Sequence, residues 1–197
     1  MRRLKSIVGT ALCFIVPTGA LAHTGAGPAD VFAHGFFHPL SGVDHILAMI
    51  AVGLVAAQVG GRALISLPLT FLSAMALGGF LGATAIPMPF VEPGLAASVA
   101  VLGAMLAVGR YGPAPLLMAI VAAFAMVHGY AHGAEMTGGS LVGYGAGFLV
   151  TTALLHGVGI ALGLLAGRTP STMALRLPQA SGVAIAAMGL VLLAGSM

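Results

Sequence analysis

The sequence predicts an all-α membrane protein: a bundle of six transmembrane helices behind a cleavable N-terminal signal peptide. Three observations predict it. Of the 197 residues, 59% are hydrophobic and only 6% are charged, where a soluble domain carries about a quarter charged residues. The apolar residues gather in stretches near the roughly twenty residues that cross a hydrocarbon core. Once those stretches are counted, the basic residues beyond the signal fall on one side of the membrane.

The N-terminus has the form of an export signal. Arg2, Arg3 and Lys5 make a positive n-region, residues 7–16 an apolar core, and Ala20-Leu21-Ala22 a small-x-small cleavage site. Cleavage after Ala22 is expected, with residues 1–22 as signal peptide and 23–197 as one transmembrane domain. An uncleaved anchor helix is the competing reading. Cys13 is the single cysteine, which excludes a disulfide framework or a thiolate metal site within one chain.

Six spans are expected, roughly at 39–59, 63–85, 94–109, 113–133, 141–166 and 182–194. Breakers separate them: Gly60-Gly61, Pro87-Met88-Pro89 with Pro93, Gly112-Pro113, Gly138-Gly139, and residues 170–178. Gly159, Gly163 and Gly167 form a small-xxx-small stripe suited to close helix packing, and Gly143, Gly145 and Gly147 thin the same helix near its outer end. A three-plus-three inverted repeat fits the span count, without an internal sequence match to support it.

Charge orients the bundle. Signal cleavage leaves the new N-terminus outside, and six spans then place Arg62, Arg110, Arg168 and Arg176 inside. Both termini are thus expected on the periplasmic side of a bacterial inner membrane. Asp30 and Glu92 fall in outer segments, and Asp44 and Glu135 near the outer ends of spans one and four. The net charge of +3 is dispersed along the chain, which excludes a nucleic-acid patch.

In a chain this apolar, four acids and seven histidines carry the chemistry. An ionisable group at helix-centre depth costs about 2.5–3.5 kcal/mol, so several together call for partners: each other, water or a bound cation. The first cluster is His38, Asp44 and His45. On one helix the two histidines would lie about 20° apart, and His34 would extend the stripe if the helix reached back past Pro39. A structural reading competes: Ser41 as helix cap with Asp44 three residues on, a capping box. The second cluster is His128, His132 and Glu135, at i, i+4 and i+7, within about 60° on one helix face. A lone membrane histidine more often hydrogen-bonds a neighbouring helix than ligates; two imidazoles and a carboxylate on one stripe are less easily explained that way. Both clusters fall at the outer membrane level.

Imidazole and carboxylate donors without thiolate suit a divalent transition metal ion held weakly enough to leave again. His156, deeper in span five, is either a further stop on the path or a hydrogen-bond partner for a neighbouring helix. His23, as a free N-terminus, is a secondary chelating candidate through its amine and ring, and His34 with Asp30 would gather ions outside. The eleven methionines are dispersed and fit packing.

His38, then five residues, then Asp44-His45, followed by His128-Gly129-x-x-His132-Gly133-x-Glu135, resembles the HupE/UreJ family of nickel permeases. Length, signal and span count are similar too, so the resemblance covers nearly the whole chain. One departure is Val127, where the pattern has an aromatic residue. The resemblance implies uptake of Ni²⁺, or Co²⁺, for maturation of hydrogenase or urease. It assigns metal handling to His38, Asp44, His45, His128, His132 and Glu135, with no prosthetic group and no enzymatic activity. The residues alone imply only a divalent transition metal.

No Gly-x-x-x-x-Gly-Lys-[Ser/Thr] phosphate loop occurs, so ATP is not expected to drive transport. At 100 mV inside negative, a dication gains about 4.6 kcal/mol on entry, enough for more than about a thousandfold accumulation. Protonated imidazole cannot ligate, so uptake should fall below about pH 6. The rival readings are an intramembrane metallohydrolase with Glu135 as general base, a haem or di-iron protein, and a metal sensor that binds without flux.

Overall fold

Glycine and proline set the element boundaries. In a computed structural model, which describes residues 27–84, 86–136, 140–168 and 172–196, the chain is helical, with no strand among the described residues. Helix α1 spans Pro28–Phe37, a 3-10 turn His38–Leu40, α2 Val43–Val59, α3 Ala63–Ala83, α4 Val91–Val108, α5 Ala114–Glu135, α6 Leu141–Arg168 and α7 Thr172–Gly195. Gly60 and Gly61 take φ of 72° and 53°, which glycine adopts without strain, and there the chain reverses between α2 and α3. The signal peptide, its cleavage site, Cys13 and His23 lie outside the described residues.

Helices α3 to α7 are each long and apolar enough to cross a membrane. The first span differs from the 39–59 helix expected: α1 with the 3-10 turn and α2 pass that test only as a pair, bent by 79° at the break. Pro39 has no amide hydrogen to continue a helix, and Gly42 takes an extended conformation as the N-cap of α2. The capping box at Ser41, the competing structural reading, is absent. Ser41 Oγ instead donates to the His38 carbonyl at 2.6 Å, and Asp44 pairs with His45.

Two other boundaries move. Helix α4 begins at Val91 rather than 94, with Pro93 in its first turn, where a missing N–H costs nothing. Helix α7 begins at Thr172 rather than 182 and runs through Pro178. Its packing on α4 carries it through: a Cβ at Gly182 would overlap the Ala107 amide.

The most extensive helix interfaces are α3 with α5, α4 with α7, α2 with α6 and α1 with α6. Exchanging α2, α3 and α4 with α5, α6 and α7 carries the α3–α5 pair onto α6–α2 and leaves α4–α7 in place, as a three-plus-three repeat requires. The lesser contacts break the pattern, since α2 also packs on α4 while α5–α7 is not among the interfaces of any extent. Backbones meet at glycine. A Cβ at Gly129 would overlap the Met75 carbonyl, and one at Gly133 the Gly79 carbonyl, so α3 and α5 touch along two helical turns. Gly159 meets α2 at Ile50 and Gly53, and Gly163 meets Ala57, whereas a Cβ at Gly167 would have no described residue within 4 Å. Met49, Val52, Phe71, Leu102 and Val121 fill the centre. Ile65, Leu69, Leu77 and Phe80 of α3 are exposed, a face that hydrocarbon would solvate.

Candidate metal site

The last turns of α5 build one wall of the site. His128, His132 and Glu135 follow one another along the helix, from fully buried His128 through buried His132 to a Glu135 side chain 64% exposed. The stripe runs from the protein interior to its surface, as the i, i+4, i+7 spacing requires.

The bend before α2 supplies the opposite wall. It places His38 beside the stripe, its ring 4.8 Å from that of His132. His38 Nε2 stands 3.6 Å from Glu135 Oε2, and His132 Nδ1 stands 3.7 Å from the same oxygen. One ligand atom from each of His38, His132 and Glu135 lies within 4.8 Å of the other two. Tyr144 and Phe148 of α6 close the side, the Phe148 ring tilted against that of His132 with centroids 4.3 Å apart.

One turn deeper, the His45 ring is 4.4 Å from His132 and 5.0 Å from His128. The 20° stripe expected for His38 and His45 does not exist, because the break separates them. Instead they approach His132 from two levels. Asp44 is turned to its neighbour: its Oδ1 sits 2.8 Å from His45 Nδ1. That pairing leaves His45 Nε2 buried and, among the described residues, without a hydrogen-bond partner. A carboxylate on one ring nitrogen orients an imidazole and raises the basicity of the other.

Beyond His128 the file continues through an aromatic ring. Phe71 of α3 lies 6.0 Å from His128 and 4.9 Å, edge-on, from His156. His156 is 1% exposed, and neither ring nitrogen has a hydrogen-bond partner. The interhelical hydrogen bond expected for it is therefore absent among the described residues, and it stands apart from the six-residue cluster. His34 is exposed, 5.9 Å from the His38 ring and 5.6 Å from Tyr144. Asp30 accepts the Gly27 amide at 3.0 Å, which caps α1.

Three residues escaped the sequence reading. Phe71 had no signal beyond being one aromatic in an apolar span. Ser98 of α4, fully buried, contacts His128 Nε2 at 2.8 Å; a lone hydroxyl mid-span was the available clue. Tyr130 receives the Met88 amide at 2.9 Å and donates to the Ile86 carbonyl, tying the α3–α4 connection to α5. The donor set is imidazole nitrogen and carboxylate oxygen, which fits a borderline divalent ion and leaves coordination positions for water.

A family model described as HupE / UreJ protein matches residues 11–192. A curated relative, Protein HupE of Rhizobium leguminosarum bv. viciae, is 40% identical over 195 residues, which cover 98% of this chain and all of the relative. No solved structure matches.

Proposed function

Because the chain belongs to the HupE/UreJ family, we propose that it is a secondary transporter that takes up Ni²⁺, with Co²⁺ as second substrate, across the bacterial inner membrane. The ion would supply maturation of a hydrogenase or urease. The observation that supports this most directly is the convergence of His38, His132 and Glu135, with ligand atoms within 4.8 Å of one another at the mouth of a buried histidine file.

In this reading, a hydrated ion meets exposed Glu135 first and sheds water onto His38 and His132. His132 then passes it inward, since His45 and His128 lie one ring away in sequence. His156, past Phe71, is the inner stop before release. The positive-inside rule, applied to Arg62, Arg110, Arg168 and Arg176, supports a mouth on the periplasmic side. The membrane potential supplies the drive, about 4.6 kcal/mol per dication at 100 mV. The ligands are neutral imidazoles and carboxylates rather than thiolates, so binding is reversible, as carriage requires.

The test is radioactive-nickel uptake into cells expressing this chain, beside an Asp44→Ala plus His132→Ala variant at matched membrane abundance. The wild type should accumulate nickel and the variant should not. Excess cobalt, zinc or magnesium then ranks selectivity. If the wild type accumulates none, the transport reading fails.

A further inference from the structure

Ser98 stands where no ligand is needed, alone among apolar side chains in the middle of α4, yet it touches two groups at once. Its Oγ lies 2.6 Å from the Leu95 carbonyl oxygen and 2.8 Å from His128 Nε2. A serine hydroxyl has one proton to give. A carbonyl only accepts, and two oxygens 2.6 Å apart must have a proton between them. The Ser98 proton therefore goes to Leu95, and the proton in the second bond comes from His128 Nε2. His128 Nδ1 is buried and has no hydrogen-bond partner among the described residues. A proton there would be a buried N–H without an acceptor, so Nδ1 carries a bare lone pair. The two ring nitrogens face opposite ways, and with Nε2 turned to α4, Nδ1 is turned away from it.

We infer that Ser98 is a positioning residue which fixes His128 in the Nε2–H tautomer and so presents Nδ1 as the metal-ligating atom. The purpose assigned to that lone pair rests on the transport reading; the tautomer itself rests only on the hydrogen bonds. Ser98 does for His128 what Asp44 does for His45, from a third helix and without charge. The pairing has a consequence for ligand chemistry: His45 offers Nε2 and His128 offers Nδ1.

The experiment has two readouts. Histidine-labelled protein in lipid nanodiscs, free of metal, is read by long-range ¹H–¹⁵N correlation, with the His128 signals identified by their loss in His128→Gln. Wild type should show the proton on Nε2, and Ser98→Ala should move part or all of it to Nδ1. In nickel uptake, Ser98→Ala should raise KM about 10–100-fold, as changes to outer-shell partners do. Ser98→Thr, whose hydroxyl also reaches the i−3 carbonyl of a helix, should restore both signals. A wild-type proton on Nδ1, a tautomer unmoved by Ser98→Ala, or Thr failing together with Ala would overturn the inference. An Nε2–H tautomer in a wild type that carries no nickel would support it and sink the transport reading alone.

Discussion

The two histidine motifs reach one site by different backbone routes. The second lies on unbroken α5, so His128, His132 and Glu135 descend one face at helical spacing. The first is interrupted, with His38 in a 3-10 turn and Asp44-His45 on α2, across a 79° bend. A continuous helix can present ligands along only one line. A break lets eight residues of chain deliver two imidazoles at two depths, His38 near Glu135 and His45 near His128. His132 is contacted from both levels, which makes it the shared member.

Removing that shared member should have the largest effect. His132→Ala is expected to lower nickel uptake by at least about 100-fold, beyond the usual cost of an outer-shell change. Uptake within a few-fold of wild type would break the idea of a shared ligand. The rigidity of the α5 route is tested next. Gly129→Ala drives a Cβ into the Met75 carbonyl, and overpacking of this kind costs about 1–3 kcal/mol. Thermal melting in detergent should show that loss, while Gly145→Ala, with nothing within 4 Å, should be neutral or gain up to about 1 kcal/mol.

Two smaller effects separate orientation from ligation. Asp44→Asn keeps an acceptor for His45 Nδ1 but loses the charge, and should raise KM about tenfold at unchanged abundance. Glu135→Gln acts at the exposed end of the stripe, where, in the proposed transport, charge mainly attracts the ion. Its KM should rise less than about tenfold, and the gap from wild type should narrow as ionic strength increases. A Glu135→Gln defect as deep as that of His132→Ala, insensitive to salt, would make Glu135 an equal inner ligand instead.

The clustered histidines and carboxylates, the span count and the breakers were legible because each leaves a local mark: a charge in apolar sequence, a length, a glycine pair. The bend was half legible. Pro39 and Gly42 mark it, yet the length of apolar sequence concealed it. Ser98, Phe71 and the Asp44–His45 pairing were not legible, because each depends on which side chain another helix brings near. The end of the glycine stripe was hidden for the same reason: Gly163 meets Ala57, while Gly167 meets none of the described residues.

Tyr130 sits between His128 and His132 and holds both Ile86 and Met88. The α3–α4 connection is thus fastened to the same two turns of α5 that bear the imidazoles, and a rotation of those turns drags the connection with it. Pro89, next to Met88, is exposed, and the chain's one cysteine is Cys13. A fluorophore on Pro89→Cys, in a background without Cys13, would report movement of the histidine stripe in real time while leaving every ligand untouched.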